Sequence, residues 1–297
     1  MSETRVGISG WRYKPWRGKF YPSTLPQRLE LAFASRHLNS IEINGSFYSL
    51  QSPDSYAQWY RATPSDFVFS VKGSRFITHM KRLKGLEQAQ ANFWASGVLR
   101  LEEKLGPILW QLPPNFQFDP DTLERFFDEL PRSTADAARI ARHHSDLMRG
   151  RCWLKLQKDR KLRHAIEIRH ESFVTEAFVK LLRRQQVALV IADTAKKWPY
   201  MEDMTADFVY ARLHGDKQLY VSGYDDKALN RWARRFRKWR TGSEPENAKR
   251  HAPRARVVSE RDLYVYFDND VKVHAPFNAL DLARRLGIRP VSDSGSL

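Results

Sequence analysis

Eight short apolar runs recur along the chain, and most are separated by polar stretches with helical periodicity. The runs cover residues 5–9, 40–44, 67–72, 107–111, 164–168, 187–192, 208–213 and 263–267. Several alternate apolar and polar residues, which is typical of strands because successive side chains point to opposite faces. The run VALVIA at 187–192 is apolar throughout and predicts a strand buried on both faces.

Helical periodicity predicts helices between these runs. They are expected at 25–37, 54–61, 86–105, 119–130, 174–184, 227–239 and 279–286, with one further helix and a loop within 132–161. The alternation favours a parallel sheet, because each parallel connection needs a dozen or more residues. Eight units in 297 residues predict one (β/α)8 TIM-like barrel over residues 1–297.

Two features qualify this fold prediction. The unit between Asp193 and Phe208 is too short and too polar for a full helix, so we expect it to be irregular. The alternative fold is a doubly wound open sheet, which predicts a glycine-rich phosphate turn after the first strand. The sequence there is GISGW, which lacks the GxGxxG spacing.

Polar and ionisable side chains stand at the carboxyl ends of the second to eighth runs. In a barrel these ends meet at one mouth, where active sites are built. Glu167 and Arg169 share a strand face because they lie two residues apart. The candidate substrate-binding residues at these ends are Glu42, Asn44, Gln111, Arg169, His170, Asp193, Arg212, Asp268 and Asn269. Arg212 is suited to bidentate binding of a carboxylate or phosphate.

Three residues are candidates for proton transfer. Lys72 ends a buried run, and a desolvated lysine near other cations can become a neutral base or a nucleophile. Glu167 is a candidate general acid or base. His214 follows the seventh run and is suited to moving protons near neutral pH.

A structural interpretation competes with the catalytic one. Buried charges are costly unless they are paired. This interpretation predicts an ion pair between Glu167 and Arg212 that holds the barrel closed. It also predicts a salt bridge from Lys72 to Glu42, and it leaves Glu167 to orient Arg169 or Arg212.

We expect no metal and no redox cofactor. Carboxylates and a histidine at the strand ends are metal-ligand types, namely Glu42, Glu167, Asp193, Asp268 and His214. However, no HxH or HExxH spacing is present. Lys72, Arg169 and Arg212 would repel a cation and instead favour an anionic substrate.

Aromatic residues cluster in or near the predicted loops at the same end. They are Trp11, Tyr13, Trp16, Tyr48, Trp110, Trp198, Tyr200, Tyr220 and Tyr224. They predict a pocket for a ring or sugar, or a stacking platform for bases, with Trp11 and Tyr48 as candidate substrate contacts. The alternative is a cluster that packs the loops.

The formal net charge of +16 favours anionic partners, including nucleic acid. Part of the excess lies in RWARRFRKWR, from Arg231 to Arg240, where Trp232, Phe236 and Trp239 form one apolar stripe. The remaining basic face is either a solvated outer surface or a phosphate-tracking surface. The polar segment 241–261 predicts a flexible insertion before the last strand.

Cysteine content and hydropathy bear on location. A single cysteine, Cys152, permits no internal disulfide and fits a reducing cytoplasm. The N-terminal residues lack the basic-then-apolar pattern of a signal peptide. No run of about 18 apolar residues occurs, so we predict no transmembrane helix and a cytoplasmic protein.

Seven segments, taken together, resemble the YecE-like family, also called domain of unknown function 72. In chain order they are GISGWRYKPWRGKFYP, IEINGSFY, FSVKGSRFITH, ILWQLPPNF, AIEIRHESF, FVYARLHG and VYFDNDV. The resemblance spans nearly the whole chain and implies a TIM-like barrel. It implies no reaction, because a fold alone does not supply one. The basic helix and segment 241–261 look like local elaborations.

These patterns lead to one functional hypothesis and two alternatives. The hypothesis is an enzyme of acid–base or hydrolytic type, acting on a small phosphate- or carboxylate-bearing substrate at the barrel mouth. The first alternative is a nucleic-acid-binding protein that uses the basic surface and the aromatic loops. The second is a barrel that only binds a regulatory metabolite.

Overall fold

A computed structural model of the chain describes residues 2–288. Eight parallel strands pair in chain order, and the eighth pairs with the first to close a barrel. They are β1 (Thr4–Ser9), β2 (Ser40–Ile43), β3 (Val68–Lys72), β4 (Leu105–Gln111), β5 (His164–Glu167), β6 (Ala188–Asp193), β7 (Phe208–Leu213) and β8 (Asp262–Phe267). The predicted TIM-like barrel is therefore confirmed, and the doubly wound open sheet is excluded.

Helices on the outside connect most of the strands. They are α1 (Glu30–His37), α2 (Gly45–Tyr48), α3 (Pro53–Ala62), α4 (Glu87–Ala95), α5 (Pro120–Asp128), α6 (Thr134–Ala141), α7 (Glu176–Gln185), α8 (Asp226–Arg240) and α9 (His274–Arg285). As predicted, no helix lies between β6 and β7. The short helix α2 and a π-helical turn, Phe76–Met80, have no counterpart in the sequence prediction.

The helix predicted at 86–105 is wrong in its extent. Helix α4 ends at Ala95, a 3-10 segment covers Val98–Lys104, and Leu105 already belongs to β4. Gly97 makes the break, with a φ of 109°, and a Cβ there would lie 2.5 Å from the Cα of Pro53. Only glycine fits this left-handed position against α3.

Alternation along the strands divides the apolar residues between two cores. In β6, Ala188, Val190 and Ala192 belong to a cluster inside the barrel, whereas Leu189 and Ile191 pack with the surrounding helices. The two-sided burial predicted for VALVIA is therefore confirmed.

Polar groups continue down the inside of the barrel from the mouth. The Tyr210 hydroxyl lies 2.7 Å from Ser70 Oγ, and the Tyr266 hydroxyl lies 2.7 Å from Ser40 Oγ. Tyr210 also donates to Glu42 at 2.6 Å. Because buried polar groups need partners, these bonds tie the barrel interior to the charged side chains at the mouth.

The basic helix and segment 241–261 pack together on one side of the barrel. Helix α8 buries Trp232, Phe236 and Trp239, as the sequence stripe predicts. The segment 241–261 forms no helix or strand. Its backbone amides at 249 and 251–252 donate to the buried carboxylates of Glu202 and Asp203 in the irregular β6–β7 connection. The segment predicted as a flexible insertion is therefore anchored at several points.

Among residues 2–288, no helix has both the length and the apolar character needed to cross a bilayer.

Close packing between β1 and β2 generates the first prediction. Gly7 pairs with Ser40, and a Cβ on Gly7 would lie 1.9 Å from the Ser40 carbonyl oxygen. We expect Gly7→Ala to lower the free energy of unfolding by about 2 kcal/mol or more, because strand backbones must separate. Urea denaturation measures the change.

A second glycine provides the control. At Gly45, which begins α2, the nearest atom to an added Cβ is 3.4 Å away. Gly45→Ala should leave stability within about 1 kcal/mol of wild type, because alanine favours a helix. Equal effects of the two substitutions would contradict the packing described for β1 and β2.

Candidate functional site

A pocket of about 820 Å³ opens at the C-terminal mouth of the barrel. Six predicted site residues line it, namely Asn44, Tyr48, Lys72, Gln111, Arg169 and Asp268. The other lining residues are Tyr13, Phe47, Arg75, His79, Met80 and Tyr220. We call this cavity the mouth pocket.

The strand ends place the polar side chains of the mouth pocket. Lys72 and Gln111 are the last residues of β3 and β4, and Asp268 directly follows β8. Asn44 follows β2 and precedes α2. The π turn Phe76–Met80 then contributes further lining residues beyond β3. The carboxyl ends of parallel strands meet here, as they do in other barrels of this class.

Below the mouth pocket, one buried arginine holds three carboxylates. Arg212 on β7 is fully buried. Its Nε and Nη2 donate to the two oxygens of Glu42, at 3.1 and 2.9 Å. Nη1 donates to Glu167 Oε2 at 2.7 Å, and Nη2 also donates to Asp268 Oδ2 at 2.8 Å. We call these four residues the Arg212 cluster.

The carboxylates of the cluster have further partners. Glu42 also accepts from the hydroxyls of Ser9 at 2.8 Å and Tyr210 at 2.6 Å. The second oxygen of Glu167 accepts from Arg169 Nε at 2.9 Å. Buried carboxylates are stable only with such compensation. The cluster is therefore a closed network of charges inside the barrel.

Two pKa values follow from this network. Burial by itself would raise the pKa of Glu167, but Arg212 and Arg169 overcome it and hold that pKa far below its usual range. Burial likewise opposes ionisation of Asp268, and Arg212 and His214 lower its pKa to about 2. Both carboxylates are therefore ionised near neutral pH.

The cluster contains the ion pair expected from the structural interpretation of the sequence. Arg212 and Glu167 are paired, and neither lines the mouth pocket. All three guanidinium nitrogens of Arg212 donate to carboxylates, which leaves no open fork for a ligand. Both oxygens of Glu167 are bonded to arginines. These contacts favour an orienting role for both side chains.

Lys72 is buried in the wall of the mouth pocket without a polar partner. Its exposed fraction is 7%. Within residues 2–288 its ammonium makes no hydrogen bond or ion pair, so the expected salt bridge to Glu42 is absent from this part of the chain. Its ammonium lies 4.2 Å from the centre of the Phe47 ring. Burial first, and then repulsion by Arg212, lower the pKa of Lys72 to about 8.

A second buried lysine, Lys104, has the polar partners that the Lys72 ammonium lacks. Lys104, which is 3% exposed, donates to the carbonyl oxygens of Tyr60 and Thr63 at 2.6 and 2.8 Å. A buried ammonium is ordinarily satisfied in this way. Lys72 therefore keeps its hydrogen-bonding capacity for whatever enters the pocket.

Two titratable residues near the mouth were not predicted from the sequence. His79 lines the mouth pocket, where burial and the nearby Lys72 and Arg169 lower its pKa to about 4. Burial and the charge of Asp268 raise the pKa of Asp270 well above its usual range. The pKa values of Asp268 and Asp270 are thus shifted in opposite directions, an arrangement typical of acid–base sites.

The predicted proton shuttle His214 lies beneath the pocket. It is fully buried and does not line the cavity. Its Nδ1 is 3.1 Å from Asp268 Oδ2, and its ring meets Tyr220 edge-on at 5.4 Å. Contact with a ligand in the pocket would therefore pass through these two residues.

Trp11 and Asn269 also lie outside the mouth pocket. The Trp11 ring packs edge-on against Trp59 in the core, with ring centres 5.3 Å apart. The Asn269 amide donates to the Ser222 carbonyl and to Asn278. Both residues thus hold neighbouring segments together.

His170 and Asp193 complete the set of residues that the structure places elsewhere. The His170 ring accepts from the Ser172 amide and caps a 3-10 turn. Asp193 accepts from the Tyr224 hydroxyl at 3.1 Å and lines a different groove, beside α8. Burial raises the pKa of Asp193.

The predicted aromatic cluster is divided among several locations. Tyr13, Tyr48 and Tyr220 line the mouth pocket. The Arg169 guanidinium carbon lies 3.7 Å from the centre of the Trp198 ring. Three others, Trp16, Trp110 and Tyr224, are buried in the core. Trp110 points outward from β4, where its indole donates to His164, because the alternation of the strand turns it away from the barrel interior.

Candidate metal ligands are not grouped in the described chain. Within residues 2–288, no set of three or more histidine, cysteine, aspartate or glutamate side chains is arranged to hold a metal ion. The converging carboxylates instead share the charge of Arg212. The expectation that no cofactor is needed stays a prediction.

The closed parallel barrel and its charged mouth define a TIM-like (β/α)8 barrel protein. A profile of the family described as "Protein of unknown function DUF72" matches residues 5–295. The chain therefore belongs to the DUF72 family, as its sequence segments predict.

Relatives agree with this assignment. The chain is 28% identical over 116 residues to the UPF0759 protein YunF of Bacillus subtilis, covering 37% of this chain and 40% of that protein. It is 27% identical over 127 residues to the UPF0759 protein YecE of Escherichia coli, covering 42% and 44%. The matched segments thus span about two fifths of these curated relatives.

Solved structures of DUF72 proteins show the same fold. One from Thermotoga maritima has a TM-score of 0.70 at 22% identity, over 96% of this chain and 99% of that chain. One from Enterococcus faecalis has a TM-score of 0.68 at 18% identity, over 96% of both chains.

The charge network generates a pH-dependent prediction. Glu167→Gln removes a carboxylate paired with two arginines, and we expect a loss of about 3 kcal/mol of stability near neutral pH. The lowered pKa of Glu167 makes its contribution complete above the ordinary value of 4.5 and lost progressively as pH falls below it. The difference in the free energy of unfolding between Glu167→Gln and wild type should therefore become smaller as the pH is lowered.

Urea denaturation at about pH 7, pH 4 and pH 3 measures this difference. Glu171→Gln, at an exposed carboxylate on the loop after β5, is the control and should change stability by less than about 0.5 kcal/mol throughout. A Glu167→Gln difference that stays constant with pH would contradict the pairing.

Proposed function

We propose that this barrel is an enzyme that carries out acid–base or hydrolytic chemistry on a small anionic substrate in the mouth pocket. The observation that carries the proposal is Lys72, which is buried, unpaired within residues 2–288 and has a pKa lowered to about 8. A lysine in this state supplies a neutral base or nucleophile near physiological pH.

The pKa of Lys72 sets the fraction of molecules in which its amine is neutral and therefore reactive. With a pKa of about 8, about a tenth of the side chains are neutral at pH 7, and the fraction rises with pH. A neutral amine there can take a proton from the substrate or from a water molecule. His79, held neutral, stands in the same pocket as a further hydrogen-bonding group.

The charges around the pocket support an anionic substrate carrying a phosphate or carboxylate. Lys72, Arg75 and Arg169 line it together. Arg169 uses Nε for Glu167 and Nη2 for Gln111, and its Nη1 has no hydrogen bond within residues 2–288. Arg75 is exposed and lies 5.8 Å from the Tyr48 ring, at the rim of the pocket.

The Arg212 cluster acts in this proposal as a positioning device. Glu167, with both oxygens bonded and its pKa far below the usual range, holds Arg169 and Arg212 and carries no proton at neutral pH. Asp268 remains ionised in the pocket wall. The carboxylates thus set the electrostatic potential around Lys72.

Nucleic-acid binding on the basic helix remains a second candidate function. Arg231, Arg234 and Lys238 line a groove of about 440 Å³ on the outer side of α8. A neighbouring groove carries Lys196 beside Trp198. Cations next to aromatic rings suit single-stranded nucleic acid.

The test compares thermal shifts of wild type, Lys72→Met and Lys104→Met. Phosphorylated and carboxylated metabolites are the probes, and a short RNA is included. We expect an anion that stabilises wild type to bind at least about tenfold more weakly to Lys72→Met, because the ammonium facing the pocket is lost. Lys104 lies outside the pocket, so Lys104→Met should show the same thermal shift with the anion as wild type.

Turnover of any anion so identified gives the second readout. Loss of Lys72 should lower kcat/KM by about 10²-fold or more, as expected for removal of a general base. Stabilisation by RNA alone, equal in all three proteins and lost with added salt, would contradict the enzyme and favour the basic surface.

A further inference from the structure

An apolar groove runs outward from the mouth pocket. Its volume is about 460 Å³. It is formed by the segments after β2 and β3, the first turns of α4 and the loop after α6. The apolar side chains that line it are Tyr48, Leu50, Phe76, Ile77, Met80, Ala89 and Leu147.

Exposed apolar side chains concentrate in this groove. Nine large hydrophobic residues are exposed among residues 2–288, and five of them line it. Leu147 is 79% exposed and Met80 is 65% exposed. Singly exposed apolar residues are ordinary, whereas a contiguous patch marks a binding site.

The polar side chains on the α4 side of the groove are hydrogen-bonded to neighbouring residues, whereas Arg75 and Lys81 line the side after β3. Asn92 accepts from the Ser145 amide at 2.8 Å and donates to Ser145 Oγ at 3.1 Å. Gln88 donates to the His143 carbonyl at 2.9 Å. The far wall therefore offers a ligand mainly apolar contact.

The groove and the mouth pocket meet at a shared edge. Tyr48, Arg75 and Met80 line both cavities. The cations Lys72 and Arg169 line only the mouth pocket, whereas the lining of the groove is mainly apolar, with Lys81 as a further cation, and includes Leu147. A single molecule lying across the edge would meet both environments.

We propose that the ligand of the mouth pocket is amphiphilic, with an anionic head beside Lys72 and an alkyl or aryl arm in the apolar groove. This inference rests on the proposed function, because it uses the same pocket for the head. Burial of the arm removes apolar surface of both ligand and groove from water, which strengthens binding with each added methylene.

The experiment measures dissociation constants for matched probes. Acetate and methyl phosphate are heads alone, hexanoate and hexyl phosphate carry an arm, and hexanol is an arm without a head. We expect the six-carbon anions to bind wild type at least about tenfold more tightly than the short ones. Comparing the carboxylate pair with the phosphate pair tells which head the pocket prefers.

Two variants locate the arm. Leu147→Asp places a charge in the groove at a residue that does not line the mouth pocket, and it should abolish the six-carbon advantage without changing binding of the short anions. Val257→Asp is the matched control, because Val257 is 68% exposed and lies outside the groove. It should leave the advantage intact.

The outcomes separate this inference from the proposed function. Short anions that bind with no six-carbon advantage would overturn the arm and leave the enzyme proposal standing. Hexanol that binds as tightly as hexanoate, and equally to Lys72→Met, would also overturn it by making the groove an independent site. If none of the anions binds, both proposals fail.

Discussion

The structure depends on the need to neutralise one guanidinium inside a closed barrel. Arg212 is fully buried, and three carboxylates from three other strand ends surround it. Each of these charges alone would be costly to bury, so the four are stable only together. The cluster therefore links β2, β5, β7 and the end of β8 at the mouth, and it fixes the floor of the pocket above.

A lysine without a polar partner follows from the same constraint. The carboxylates that would pair with Lys72 already bond to Arg212, Arg169 and hydroxyl groups. Lys72 is left with the face of Phe47 and the pocket. The barrel thus places a desolvated amine beside a network of charges. Groups with strongly shifted pKa values cluster at functional sites. In the proposed enzyme, the apolar groove that adjoins the mouth pocket holds the hydrophobic part of the ligand.

Strand alternation explains how much of the site the sequence could predict. Glu167 and Arg169 are placed on one face by their spacing, and Lys72 is placed at a buried strand end. Their partners depend on the register of a closed sheet, in which Gln111 stands beside Glu167, and no local pattern contains that information. His79 lies in a π turn beyond the strand end, and Leu147 reaches the groove from a loop far away in sequence.

The most direct test of this account is the pKa of Lys72, measured from the pH dependence of its acetylation by mass spectrometry. We expect a midpoint near 8, because burial and Arg212 disfavour the ammonium. In Asp268→Asn the midpoint should fall further, since the Asp268 carboxylate favours that ammonium, while Asp193→Asn should leave it unchanged. A midpoint at the ordinary value of 10.5 in the wild-type protein would contradict a desolvated, unpaired lysine at the mouth of the barrel.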